Sequence, residues 1–172
     1  MTTLILVRHG ETEENVKHIL QGHLPGTLSE LGKYQATEAA EQLRSVAFDA
    51  CVCSDLKRCK DTAEIIFNAL GISTSDILYT PLLRERHWGS LTGISVENYP
   101  HPPMPDDAES MPALKARTRV FLDFIKNTYP NQRVLCISHG FVLRIMQSVN
   151  IGVDFHDIPM LTNAEVREIE VR

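Results

Sequence analysis

Short apolar runs rich in β-branched residues alternate along this chain with segments of helical periodicity, and that alternation leaves few folds open. Thr2–Val7 reads as a strand that stops at Arg8-His9-Gly10. Ser29 is placed to cap a helix running to about Leu43, with Leu31, Ala39, Ala40 and Leu43 on or near one face. Phe48–Ser54 reads as a second strand. Asp55 or Leu56 then opens a helix with an Ala63, Ile66, Phe67 and Leu70 stripe, ended by Gly71. Ile77–Tyr79 reads as a short strand, Leu114–Thr128 as a helix with Leu114, Phe121, Phe124 and Ile125 inward, and Phe141–Val149 as another helix. Val134–Ile137 is an unbroken apolar strand of the kind covered on both faces, whereas Glu165–Val171 alternates as an edge strand does. The pattern predicts an α/β three-layer sandwich around a largely parallel central sheet.

One stretch breaks the rhythm. Between Gly93 and Leu114 stand prolines 100, 102, 103, 105 and 112, which deny the backbone its helix and sheet partners, so about 94–113 is expected to be a short cap loop. At 172 residues the chain is expected to form one domain, 1–172, large enough to bury a core without disulfides or metal. Charge excludes further classes. With 17 basic against 22 acidic residues the formal charge is −5, and no Lys/Arg-rich run is present, which argues against nucleic-acid binding. Leu4–Val7 is cut off by Arg8, no apolar stretch reaches membrane-span length, and the N-terminus lacks a signal-peptide order, so a cytoplasmic protein is expected. Cys51, Cys53, Cys59 and Cys136 include no CxxC pair and are expected to be buried thiols rather than metal ligands. Arg58 beside Cys59 suggests a lowered thiol pKa.

Three polar clusters follow directly on strands: Arg8-His9-Gly10-Glu11-Thr12, Ser54-Asp55-Leu56-Lys57-Arg58 and Ser138-His139-Gly140. In parallel sheets ligands collect at the carboxyl ends of strands, so neighbouring strands would bring Arg8, His9, Arg58 and His139 to one rim. Two guanidiniums and two imidazoles repel unless an anion or a carboxylate lies among them. Phosphate suits the task, because each Arg can bind two of its oxygens. Gly10 and Gly140 would let backbone N–H groups and a helix N-terminus approach it.

These residues resemble the histidine phosphatase (phosphoglycerate mutase-like) superfamily. The resemblance rests on Leu6–Thr12 with Asn15 and Gln21-Gly22; on Leu28-Ser29-Glu30-Leu31-Gly32 with Gln35-Ala36; and on Ser54-Asp55-Leu56 with Arg58 and Thr62-Ala63. It continues through Leu83–Gly89 with Leu91 and Gly93, Ser138-His139-Gly140, and Asn163–Val166. It implies that His9 is a nucleophile forming a phosphohistidine, with a backbone carbonyl accepting its other N–H. Arg8, Arg58 and a protonated His139 would hold the phosphoryl oxygens, with Asn15, Gly140, Gln21, Gly22 and Thr12 as further phosphate-binding candidates. Glu85 would protonate the leaving oxygen and then deprotonate water, giving faster turnover on the acidic side of neutral. Glu11 is the rival carboxylate. Thr12 serves equally well as a cap, and Arg84, Arg86 and His87 either touch the distal substrate or form a solvated loop. No metal or cofactor is implied, since the arginines supply the positive charge. The expected partner is a small phosphorylated substrate, and the chain is expected to be a monomer or homodimer.

The family contains phosphatases and mutases. Glu85-Arg86-His87-Trp88-Gly89 and Thr92 lean toward mutase ancestry, but only 20 residues separate Gly93 from Leu114, where cofactor-dependent mutases carry a longer insertion. An open site lets water reach phosphohistidine, which favours a phosphatase. A phosphohistidine-protein phosphatase and a catalytically silent phosphate-binding module are the remaining alternatives.

Overall fold

A computed structural model describes residues 1–172. Five strands form one sheet: β1 (Thr3–Arg8), β2 (Ala50–Ser54), β3 (Ile77–Thr80), β4 (Arg133–Ser138) and β5 (Val166–Glu170), in the order β3-β2-β4-β1-β5. All neighbours are parallel except β5, which runs antiparallel along the edge of β1. The five α-helices are α1 (Glu13–Val16), α2 (Glu30–Leu43), α3 (Lys57–Leu70), α4 (Met111–Thr128) and α5 (Gly140–Ile151). The expected mixed α/β architecture with a mostly parallel sheet is the one observed.

The layers follow from strand periodicity. Ile5 and Val7 of β1 join Leu135 and Ile137 of β4 in a core shared with Ala39, Ala63 and Ile66 of α2 and α3. Leu4 and Leu6, with Val134 and Cys136, point the other way, against Phe121, Ile125, Leu143 and Met146 of α4 and α5. Each of these Val, Leu, Ile, Phe and Met side chains withdrawn from water stabilises the fold by about 1.5–3 kcal/mol. Cys51 and Cys53 share a face as their spacing requires, and all four cysteines are free and buried.

Several boundaries differ from the sequence expectation, each for a local reason. β1 extends to Arg8 because β4 extends to Ser138, its register partner. Phe48 and Asp49 lie outside β2, although the Asp49 N–H still reaches the Arg133 carbonyl. Leu56 caps α3, which begins at Lys57. Proline 112 belongs to α4 and not to the loop: Ser110 caps that helix, and a first-turn proline gives up only an N–H that the helix would leave unpaired. Leu31 is 52% exposed and faces solvent, so Gly32, Ala36, Ala39, Ala40 and Leu43 form the inner face of α2.

Candidate active site

The carboxyl ends of β1, β2 and β4 meet at one rim. Arg8 is the last residue of β1, Ser54 of β2 and Ser138 of β4, so the residues just beyond them converge. The His9 N–H donates to the Ser138 carbonyl at 3.0 Å, and the His9 and His139 ring centroids are 5.3 Å apart. Arg58, at the start of α3, enters from the third side. Its Nε lies 3.1 Å from His139 Nδ1 and 3.3 Å from His9 Nε2. Despite their polarity these groups are deeply buried, His9 at 3%, Arg58 at 1% and His139 at 0% exposure.

Buried polar groups persist only when their hydrogen bonds are satisfied, and the partners here fix orientation. His9 Nδ1 lies 2.7 Å from the Gly10 carbonyl, so Nδ1 carries the proton and Nε2 keeps its lone pair toward the rim. Burial first, then the charges of Arg58 and Arg8, hold His9 well below the ordinary imidazole range, which keeps that lone pair free of a proton. His139 Nε2 faces Ser54 Oγ at 2.8 Å, which leaves Nδ1 to accept from Arg58. Burial and Arg58 push His139 well down too, so the expected imidazolium is not the form this environment favours.

The guanidiniums are held by backbone oxygens. Arg58 Nη1 and Nη2 donate to the carbonyls of Leu24 (2.5 Å) and Gly22 (2.9 Å), and the Arg58 N–H donates to the Pro25 carbonyl. Arg8 Nη1 donates to the Leu161 carbonyl at 2.8 Å, while its buried Nε is left without a partner. A buried, unpaired guanidinium N–H is a donor ready for an anionic oxygen. Burial lowers both arginines from their ordinary values, and the charge of Glu85 works against that shift in each.

Glu85 is thus the carboxylate near both arginines. Its Oε1 accepts from the N–H groups of Arg86 (2.8 Å) and Val142 (3.2 Å), and its Oε2 from that of Phe141 (3.2 Å). The side chain therefore occupies the N-terminus of α5, a seat that suits negative charge. Glu11, its rival, is committed elsewhere, accepting from Ser29 Oγ at 2.7 Å at the start of α2.

Both rim glycines do something other than open a path for phosphate. A Cβ on Gly10 would stand 2.4 Å from the Gly32 carbonyl oxygen, so Gly10 packs the loop against α2. A Cβ on Gly140 would come within 3.1 Å of Cζ and Nε of Arg8, so this glycine makes room for the guanidinium, and two N–H groups of its helix serve Glu85. Among the other candidates, Thr12 and Asn15 form a reciprocal cap on α1, each side-chain oxygen accepting the other's backbone N–H. Gly22 lends its carbonyl to Arg58, and the Oε1 of Gln21 is buried without a partner. Arg84 makes a two-pronged ion pair with Asp55 (2.7 and 2.6 Å). Arg86 is buried, donating to the Glu109 carbonyl and lying 5.0 Å from the Trp88 ring centroid. Arg86 is therefore not a solvated loop charge, whereas Arg84 is partly exposed and paired. The Cys59 thiol, expected to be acidified by Arg58, is instead raised to about 12 by burial.

Sequence reasoning left three supports without a role. Ser54 orients His139, and Thr62 Oγ1 accepts the Gly10 N–H while donating to the Arg58 carbonyl, tying the two arginine-bearing segments together. Both lay within recognised motifs, so a signal existed. His23, whose Nε2 is 2.9 Å from the Glu85 carbonyl, follows Gln21-Gly22 but carried no local signal.

Comparison with known proteins places this rim among relatives. The family described as histidine phosphatase superfamily (branch 1) matches residues 4–172. A metal-independent phosphoserine phosphatase of Arabidopsis thaliana is 33% identical over 193 residues, covering 100% of this chain and 77% of the relative. A probable phosphoglycerate mutase, GpmB, of Photorhabdus laumondii is 32% identical over 171 residues, covering 91% and 78%. Among solved structures, a mycobacterial glucosyl-3-phosphoglycerate phosphatase in complex with VO3 superposes with a TM-score of 0.86 at 26% identity, covering 98% of this chain and 92% of that one.

Proposed function

This chain belongs to the histidine phosphatase superfamily, branch 1, and on that premise we propose that it is a metal-independent phosphomonoesterase working through a phosphohistidine on a small phosphorylated metabolite. The observation that carries this reading is the seat of His9: its Nδ1 lies 2.7 Å from the Gly10 carbonyl, which assigns the proton to Nδ1, and its Nε2 faces Arg58 and His139. Nε2 attacks phosphorus, the ester P–O bond breaks, and Glu85 delivers a proton to the leaving oxygen. Water then attacks the phosphohistidine and gives its proton to Glu85, and the P–N bond breaks to release phosphate. Arg8, with its unpaired Nε, and Arg58 hold the phosphoryl oxygens, and Asn15 adds a donor. His139 gains its charge on binding: the negative charge of a phosphoryl group opposes the burial and the Arg58 charge that otherwise keep it neutral, and Nδ1, once protonated, gives up the Arg58 N–H and donates to a phosphoryl oxygen instead.

Hydrolysis is favoured over mutase transfer by the short, proline-broken segment 94–110, which acts as a cap too small to shut out water. The mutase reading keeps the support of the Glu85-Arg86-His87-Trp88-Gly89 run and of Thr92, and the GpmB relative agrees with it. Phosphate release from a panel of phosphomonoesters, with 3-phosphoglycerate included and His9→Ala beside the wild type, tests the proposal. Release that disappears in the variant supports it. Isomerisation of 3-phosphoglycerate after bisphosphate priming, with no release from any ester, replaces it with the mutase reading.

A further inference from the structure

The loop that carries Glu85 has no regular secondary structure from Arg84 to Trp88. A catalytic group on irregular backbone stays aimed only if neighbouring residues lock it. Ser138 Oγ donates to the Leu83 carbonyl on the approach side. The main lock comes from further along the chain. Arg117, on α4, donates from Nη1 to the carbonyls of Leu82 (2.7 Å) and Arg84 (2.8 Å). Its Nε and Nη2 meet Oε1 and Oε2 of Glu109, both at 2.9 Å, in a two-pronged ion pair. Glu109 completes the grip from the other side of Glu85: its carbonyl accepts from Arg86 Nε at 2.8 Å, and its N–H donates to the His87 carbonyl at 2.8 Å.

The residues before and after Glu85 are therefore tied to a single ion pair. Its side chains are only 18% and 15% exposed, so solvent screens the pair weakly. Burial alone would raise the Glu109 carboxyl, but the hydrogen bonds and charge of Arg117 outweigh it and hold Glu109 below its ordinary value. The guanidinium is needed for its shape as well as its charge, since four directed N–H bonds leave one side chain in a fixed fork.

We propose that Arg117 and Glu109 are positioning residues for the Glu85 carboxyl, a largely buried clamp that holds loop 82–87 so that Glu85 meets the oxygen of the departing group. The inference rests on the acid/base role given to Glu85 above. It predicts sensitivity to how much the leaving group needs a proton. A 4-nitrophenolate departs unaided, whereas an alkoxide must be protonated.

The test uses the full chain with Arg117→Lys, which keeps charge and length, and Glu109→Gln, which keeps volume. On the best alkyl phosphomonoester of the panel, kcat should fall about 10- to 100-fold with KM little changed. On 4-nitrophenyl phosphate the loss should stay within about 3-fold, and Glu85→Gln should show the same contrast at larger amplitude. The amide NMR resonances of Phe141 and Val142, which donate to Glu85, should shift in both clamp variants. Equal losses on the two esters, unchanged kcat on the alkyl ester, or unmoved amides would overturn the proposal. If Glu85→Gln itself shows no leaving-group contrast, the acid/base role falls. The clamp is then judged by the amides alone, where shifts sustain it and their absence refutes it.

Discussion

The rim where β1, β2 and β4 end and the proline-rich segment beyond Gly93 obey opposite rules. At the rim, His9, Arg58 and His139 are almost wholly buried, and each is held by at least one bond to another segment of the chain. In the proline-rich segment, Ile94, Tyr99 and Met104 are exposed. It is anchored near its ends, by Val96 N–H to the His18 carbonyl and Glu109 N–H to the His87 carbonyl. Between the segment and α5 lies an apolar cavity of about 290 Å³ whose lining includes Trp88, Met104, Phe141 and Phe155. The contrast separates two tasks. Placing charge around a reacting phosphorus needs preorganised, water-poor surroundings. Selecting a leaving group needs shape, which an irregular segment can vary at little cost to the core.

The contrast would break first at His9. His9→Ala should lower phosphate release by about 10⁴-fold or more, the scale of losing a covalent nucleophile. Arg58→Lys comes next. An ammonium cannot reproduce bonds to Gly22, Leu24 and the two imidazoles at once, so a loss of about 10²- to 10³-fold in kcat/KM is expected in steady-state assays. Gly140→Ala tests packing at the rim. Its Cβ would press on Arg8, and kcat/KM should drop about 10- to 100-fold while circular dichroism stays native.

Stability should carry the same signature. Below about pH 6.5 the unfolded chain protonates His9 and His139, whereas the folded rim resists, so stability is full above that pH and declines as pH falls through it. Each excluded proton contributes a slope of about 1.4 kcal/mol per pH unit. Melting curves taken from neutral pH downward should show this, with a shallower decline in His139→Gln and in the presence of phosphate or vanadate. The smallest effect belongs to the exposed segment: Met104→Ala should change stability by no more than about 0.5 kcal/mol. It should move KM between esters of different bulk while leaving kcat alone.

The same division explains how much of the molecule was legible in the sequence. Strand-end clusters are local signals, so Arg8, His9, Arg58 and His139 could be assigned to one rim from three short stretches and the alternation of elements. Glu85 stands ahead of Glu11 through the family resemblance alone; what holds each carboxylate, the α5 amides for one and Ser29 for the other, involves partners no single segment contains. Gly10 and Gly140 were read as openings for an anion because sequence shows a missing side chain but not what fills the space. The burial of His139 among cations, which opposes the expected imidazolium, and the Arg117–Glu109 pair arise only from tertiary packing.

The most direct test of the account is to quench the enzyme during turnover, under conditions that preserve acid-labile phosphoramidates, and map the attached phosphoryl group by mass spectrometry. A phosphoryl group on His9, absent from His9→Ala and discharged by water on chasing, is the predicted result. Sustained hydrolysis by His9→Ala, or phosphoryl attachment at any other residue, would contradict it.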